Sequence, residues 1–225
     1  MKLLISLLTG AAMAAGVQSP AAPAPQSPLP ETSAPVEVRP LREAFDARAA
    51  LTRANASLNA VRTAEGRFTQ IAPDGAVSQG RFWLQRPGRM RFEYDPPTPL
   101  LIVADGTTVA IEDRELETFD RAPIASTPLG LILKSDIDLQ ADADIAHVGQ
   151  SDGHTVISVT DPTGEADGVL TLIFAPGTDA LVEWRVSDAT GAVTQVLLDD
   201  VKTGGRIPAR LFILEEEDDP TERRR

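Results

Sequence analysis

The 225-residue sequence contains no cysteine. That absence excludes thiolate catalysis, cysteine-ligated zinc, every disulfide framework and a lipid-modified N-terminal cysteine. Histidine is scarce: only His147 and His154 occur. They fall on neighbouring predicted strands, where two half-exposed strand histidines are a commoner outcome than a metal or acid–base pair. Aromatic residues make up 4% of the chain, too few for a sugar-stacking surface or a base-stacking platform. Positive charge is in deficit, with 21 Lys and Arg against 33 Asp and Glu and a formal net charge of −12. No long basic run exists to neutralise phosphates, so nucleic acid is not an expected partner, and adhesion to anionic lipid head groups is disfavoured as well. No G-x-S-x-G elbow, Walker loop, G-x-G-x-x-G fingerprint or H-E-x-x-H occurs. The acidic residues fall mainly in turns and in the C-terminal tail, and nothing selects a pair for glycoside hydrolysis. No catalytic set, metal site or cofactor site emerges, and a non-enzymatic role is expected.

Long hydrophobic runs are missing too. The only N-terminal one, Leu3 to Leu8, follows Lys2 and precedes the small residues Ala11, Ala12, Ala14, Ala15 and Gly16. It is too short for a span, which needs about 20 apolar residues. The order of charge, short apolar region and small residues is that of a secretory signal peptide over 1–16, which places the mature protein in the periplasm of a two-membrane cell. Residues 17–40 are dominated by Pro, Ala and Ser, a composition that favours extended, solvated backbone and reads as a tether. Residues 41–214 carry the periodic patterns of one folded domain. The tail at 215–225, EEEDDPTERRR, is too polar to pack and is expected to be disordered.

Within the domain, Leu41, Ala44, Phe45, Leu51, Ala54, Leu58 and Val61 recur at helical spacing and predict an amphipathic helix over Leu41 to Val61. Its apolar stripe packs either on the outside of a sheet or into its concave side. After Gly66 the period changes to two. Short runs bounded by Gly, Pro and Asp clusters predict strands at Arg67–Ile71, Gly80–Gln85, Met90–Tyr94, Leu100–Val103, Thr108–Glu112 and Glu117–Asp120. A second series is predicted at Ile145–Gln150, His154–Thr160, Val169–Phe174, Leu181–Ser187, Val193–Leu198 and Arg210–Leu214. Between the two series, Ser126 to Lys134 predicts a short oily helix with Thr127 as cap and Pro128 at its first position. Eleven or twelve antiparallel strands in so small a domain must curl, because strand twist accumulates.

The densest strand signal lies in Arg81 to Ile111. Phe82 and Leu84 alternate with polar neighbours, as do Met90, Phe92 and Tyr94, and Arg86-Pro87-Gly88 supplies the reversal between them. A permanent cation therefore stands at a fixed point beside an apolar face, either as a solvated loop charge or as a hydrogen-bond donor for something that docks there. Aliphatic lining suits acyl chains. Each exposed methylene costs about 0.8 kcal/mol in water, so a multiply acylated molecule needs a carrier with an apolar cavity and a cover that moves.

The ordered set Gly66-Arg67-Phe68-Thr69-Gln70, Gly80-Arg81-Phe82-Trp83-Leu84, Arg86-Pro87-Gly88-Arg89-Met90-Arg91-Phe92-Glu93-Tyr94, Pro97, Ile102-Val103-Ala104-Asp105-Gly106 and Thr127-Pro128-Leu129 resembles the LolA family of periplasmic lipoprotein carriers. It looks closest to the alphaproteobacterial branch. The resemblance covers Leu41 to Leu133, with the later strands agreeing in spacing. It implies a mainly β fold, an incomplete antiparallel β-barrel of about eleven strands closed by helical lids. It implies acyl-chain binding to lipoproteins received from an inner-membrane ABC exporter of the LolCDE type and passed to the outer membrane or an acceptor there, by a monomer without cofactors. Arg86 falls on the family's lid-locking arginine. The apolar cavity would be lined by Phe68, Phe82, Leu84, Met90, Phe92, Leu101, Val103 and Ile111, with Leu129, Ile132 and Leu133 on the lid, although alternation alone reports burial and does not separate core from cavity. Where family members carry aromatic residues after the Asp105-Gly106 turn, this chain has Val109-Ala110-Ile111-Glu112, and Arg89 stands at an ordinarily apolar position. Two further readings are a sensor module like the envelope-stress regulator RseB, and a hydrolase with dispersed carboxylates, for which an aliphatic face is the wrong lining.

Overall fold

Alternation of apolar and polar residues along consecutive short segments commits the chain to hairpins, and the computed structural model shows them joined into a single sheet. The structure describes residues 45–213. The expected signal peptide, linker, first helical residues at 41–44 and tail lie outside the described residues. Helix α1 is Ala47–Ala60. A first run of strands follows: β1 Thr63–Ile71, β2 Val77–Gln85, β3 Arg89–Tyr94, β4 Leu100–Asp105, β5 Thr108–Asp113 and β6 Thr118–Pro123. A connection then carries a 3-10 turn at Ile124–Ser126 and the one-turn helices α2 (Leu129–Ile132) and α3 (Leu139–Asp142). The second run is β7 Asp144–Ser151, β8 His154–Thr160, β9 Val169–Phe174, β10 Leu181–Ser187 and β11 Val193–Thr203, and a 3-10 turn at Ala209–Phe212 ends the described chain.

The strand order is β6-β5-β4-β3-β2-β1-β11-β10-β9-β8-β7 in one sheet of eleven, with every neighbouring pair antiparallel. Each run is a meander, and β1 and β11 join the two in the middle. The edges β6 and β7 do not pair, so the barrel stays open, and the connection Ile124 to Ala143 crosses from one free edge to the other. Asp120 and Arg121 on β6 are exposed, and charges on an edge strand oppose pairing with a further chain.

Register assigns the faces. Phe82 lies opposite Phe92, Phe92 opposite Ile102 and Ile102 opposite Ile111, so these four share the concave face. Leu84, Met90, Ala104 and Val109 form the next row. Beyond β1 the face continues through Val196, Trp184, Leu172, Ile157 and Val148. Two glycines make room for aromatic rings on this surface. A Cβ on Gly80 would stand 2.6 Å from the Phe68 ring, and one on Gly66 would stand 2.9 Å from the Phe82 ring. Phe68 packs against Phe92 and Tyr94 at 4.7 and 4.9 Å between centroids, Phe82 stacks on Phe92 at 5.7 Å, and Trp184 meets Phe92 edge-on at 5.8 Å. Such offset and edge geometries are the favoured ones for aromatic pairs.

The register corrects part of the expected lining. Leu101 lies opposite Glu93, and Val103 opposite Arg91, which puts both on the convex face, away from Phe92. Each is only 2% exposed, because the C-terminal 3-10 turn packs on β3 and β4. That turn replaces the strand expected at Arg210–Leu214: Pro208 lacks the N–H a sheet ladder needs, and the Arg91 guanidinium donates to the Leu211 carbonyl at 3.3 Å. Sequence alternation identified buried positions on β4 but not which cover buried them.

Candidate functional site

Helix α1 begins at Asp46, whose carboxylate accepts from the Ala49 N–H at 3.0 Å, an N-cap that satisfies one of the orphan donors of the first turn. Its buried stripe is Ala50, Leu51, Ala54 and Leu58, and the last three belong to the same core as Phe68 and Phe92. The helix therefore covers the concave side of the sheet. Ile132 and Leu133 from α2 and its end, and Ile137 and Leu139 from the segment behind it, join the same core. Thr127 does not cap α2. Its hydroxyl donates to the Ile124 carbonyl at 2.8 Å, closing the preceding turn, and α2 has no side-chain cap. Lys134, expected at the end of a longer helix, instead donates to Asp142 at 2.7 Å.

Two sets of polar contacts hold this cover. The first ties it to the β2–β3 turn, where the Arg86–Pro87 peptide is cis. The Arg86 guanidinium donates to the Leu58 carbonyl near the end of α1, and the Gly88 N–H donates to the Leu133 carbonyl at 2.8 Å. Gly88 has φ +72°, and a Cβ there would stand 2.7 Å from the Gly106 backbone, so this position requires glycine. One turn of the sheet thus grips both pieces of the lid. Burial, and then the nearby Arg62 guanidinium, lower the Arg86 pKa to about 10, which leaves it cationic at neutral pH. Its Nε, and the neighbouring Gln85 Oε1, are buried without a hydrogen-bond partner among the described residues.

The second set joins the lid pieces to each other. The Asn59 side-chain amide donates to the Ile137 carbonyl at 2.8 Å and accepts from the Ile137 N–H at 2.9 Å. One turn earlier on α1, Asn55 accepts from the Leu139 N–H at 3.1 Å and donates to Asp138 and Gln140 at 3.3 and 3.2 Å. Arg62 donates to the Ser135 carbonyl. Asn55 and Asn59 carried no signal in the sequence beyond lying on the less apolar side of the predicted helix, and Arg62 lies just past its end.

Of the residues expected to line a cavity, Phe68, Phe82, Met90 and Phe92 are buried on the concave face, with Leu84 half-buried beside them. Ile111 shares that face at partial exposure. Leu129, Ile132 and Leu133 cover it from the lid side. The buried side chains of this face and of its cover pack into one cluster. Open volume lies at the margin, where a cavity of about 450 Å³ is bounded by the lid segment from Ile124 to Lys134, by Ala143, Val159 and Leu170, and by the β8–β9 loop from Thr160 to Gly168. A second depression of about 650 Å³ lies on the convex side, where Glu65, Arg67, Arg81, Asp200 and Lys202 surround Trp83 and Val201. His147 and His154 do not face each other: His147 pairs with Ser158, and His154 with Ser151. Among the described residues, no cluster of three or more His, Cys, Asp or Glu side chains could hold a metal ion. No helix among them is long and apolar enough to cross a membrane.

An open antiparallel half-barrel whose concave apolar face is covered by a helix and a helical connection defines the class: a half-barrel with a helical cover. The outer membrane lipoprotein carrier protein LolA family matches residues 59–215, and the chain belongs to that family. It is 30% identical over 170 residues to the outer-membrane lipoprotein carrier protein of Methylococcus capsulatus, covering 72% of this chain and 81% of the relative. The protein of the same description from Legionella pneumophila strain Corby is 30% identical over 164 residues, covering 69% and 80%. Among solved structures, a LolA superfamily protein from Nitrosomonas europaea superposes with a TM-score of 0.42 at 11% identity, covering 76% of this chain and 99% of that one. The Pseudomonas aeruginosa MucA/MucB complex superposes with a TM-score of 0.45 at 17% identity, covering 76% and 62%.

Proposed function

We propose that the protein is a non-enzymatic periplasmic carrier that takes up the acyl chains of lipoproteins released from the inner membrane and delivers them to the outer membrane. The observation that carries this reading is the Arg86–Gly88 turn, which grips α1 through the Leu58 carbonyl and α2 through the Leu133 carbonyl above an unbroken apolar face. A cover held by few polar contacts opens without unfolding the sheet beneath it. The grip itself is compromised by a buried guanidinium with one unmet donor, and an unmet buried donor costs about 1–3 kcal/mol. Arg86 thus acts as a latch biased towards release once acyl chains compete for the apolar surface.

With no nucleotide-binding motif in the chain, loading is driven by a partner, an ABC exporter of the inner membrane. Unloading is to the outer membrane or an acceptor lipoprotein there, and the carrier works as a monomer. The cavity in this reading is the concave face with the lid lifted: Phe68, Phe82, Leu84, Met90, Phe92 and Ile111 below, and Leu129, Ile132 and Leu133 above.

Arg86→Leu tests the latch. The variant folds with nearly unchanged stability and is impaired in moving acylated lipoprotein from spheroplasts to outer-membrane vesicles; transfer at the wild-type rate would remove Arg86 from the mechanism. Mass spectrometry of the protein purified gently from the periplasm should find co-purified triacylated lipoprotein.

A further inference from the structure

The lid is tied unevenly. On one flank it is held by the Gly88 N–H and the Arg86 guanidinium, and behind it by Asn55, Asn59 and Arg62. Between the lid segment from Ile124 to Lys134 and the β8–β9 loop from Thr160 to Gly168, no hydrogen bond or ion pair among the described residues crosses. The polar contacts of each wall run elsewhere. Lys134 pairs with Asp142 at 2.7 Å, and the Asp161 carboxylate accepts from the Thr163 and Ala166 N–H groups at 3.0 and 2.8 Å within its own loop. This untied flank is where the 450 Å³ cavity lies. Its inner wall is continuous with the core beneath the lid, because Ile124, Ala143, Val159 and Leu170 line the cavity and also belong to the cluster that contains Phe92 and Trp184.

We propose that this marginal cavity is the portal and first seat for a single acyl chain, entered between the lid segment and the β8–β9 loop while the Arg86 latch is still closed. The inference rests on the carrier reading and adds an order of events. A volume of 450 Å³ is within the range of about 300–1,000 Å³ for small-ligand pockets and well short of what three chains need. One chain therefore seats first, against apolar walls already in place. The remaining chains require the lid to lift from the concave face, which requires the latch to release. The rim carries Asp142, Asp161 and Glu165, and its one lysine, Lys134, is already paired with Asp142. An uncharged acyl amide or ester fits such a rim, and the carboxylate of a free fatty acid is disfavoured by like charge.

The test uses the full chain, in which any introduced cysteine is unique because the sequence has none. A solvatochromic dye is placed at Thr163→Cys on the portal and, as control, at Val77→Cys, which is exposed on β2. The probes are a peptide amide with one N-palmitoyl chain and a triacylated peptide. The expected result is a saturable blue shift at position 163 and none at 77 with the monoacyl peptide. Narrowing the portal from either wall, with Ala125→Trp or Thr163→Trp, raises the half-saturating concentration by about tenfold or more, equivalent to about 1.4 kcal/mol. Two independent exposed positions guard against one of them failing to fold. Wild-type binding of the triacylated peptide without any response of the portal dye, or with full affinity in both tryptophan variants, overturns the portal and leaves the carrier reading standing. Failure of both peptides to bind the wild type overturns both.

Discussion

Replacing Asn59 by alanine removes the side chain that pairs with both backbone groups of Ile137, at 2.8 and 2.9 Å. Each such bond contributes about 0.5–1.5 kcal/mol net, so losing two costs about 1–3 kcal/mol. Water reaches part of the site, since Asn59 is only half-buried, which argues for the lower half of that range. Alanine's better helix propensity returns about 0.5 kcal/mol. The expected loss is therefore about 0.5–1.5 kcal/mol, and it falls on the lid first, because Asn55 and Arg62 still hold its other points. Native-state hydrogen exchange reads this directly. The Ile137 and Leu139 amides should exchange about 2- to 13-fold faster in Asn59→Ala, with the β1 and β2 amides changed less, as expected if the lid opens as a separate unit. Asn59→Asp keeps the acceptor for the Ile137 N–H but turns a carboxylate oxygen towards the Ile137 carbonyl, and should be at least as damaging as alanine. If Ile137 and Leu139 keep wild-type exchange rates in Asn59→Ala, the polar seam contributes nothing, and only the apolar contacts of Ile132, Leu133, Ile137 and Leu139 hold the lid.

Leu101→Ala separates the two faces of β4. It should lower stability by about 2–3 kcal/mol in urea unfolding, the lower end for a buried leucine truncation, yet leave acyl-peptide affinity unchanged, because Leu101 lies on the convex side opposite Glu93; a large affinity loss at preserved folding would return it to the cavity. Asp105→Asn tests the β4–β5 turn. The Thr108 and Thr107 N–H groups hold the Asp105 carboxyl below its usual pKa, so its contribution is complete above the unfolded value of about 3.9 and is lost as pH falls through the lower folded value. Wild type and variant should therefore differ in midpoint near neutral pH and converge in acid, and a constant difference down to about pH 2 would contradict the assignment.

Strand alternation and turn chemistry made the sheet legible, because both are local. Phe82, Phe92 and Ile111 share a face by period two alone, and eleven strands came within the expected count. The site was legible only where a residue was unusual in its local setting, as Arg86 was beside Pro87 and Gly88. What stayed hidden depends on contacts between distant segments. Asn55 and Asn59 meet residues about eighty positions away through backbone groups, and any sequence supplies backbone groups. Leu101 and Val103 are buried by a turn more than one hundred residues later, which period cannot reveal. Helix α3 escaped notice because it is a single turn started by the Asp138 carboxylate accepting from the Gln140 N–H at 3.1 Å, too short for periodicity to register. Composition was silent in one respect. The low aromatic content gave no hint that the expected lining residues Phe68, Phe82 and Phe92 would be joined by Tyr94 and Trp184 in one aromatic cluster on the concave side.

Under the proposed carrier function, that convergence bears on how cargo is held and released. With the lid down, Ile132, Leu133, Ile137 and Leu139 are 3%, 1%, 2% and 0% exposed. Lifting it into water would forfeit about 1.5–3 kcal/mol for each of these four side chains, about 6–12 kcal/mol as an upper limit. An empty protein therefore stays closed, and the aromatic cluster stays out of reach of other apolar surfaces. When acyl chains take the place of the lid's side chains, the same apolar area remains covered, and the cost of opening largely cancels against the gain of binding. Uptake and release then become an exchange of like contacts with a small net free energy. The polar contacts of Gly88 and Asn59, at about 1 kcal/mol each, are of the size needed to tip that small balance and weak enough for a partner to break.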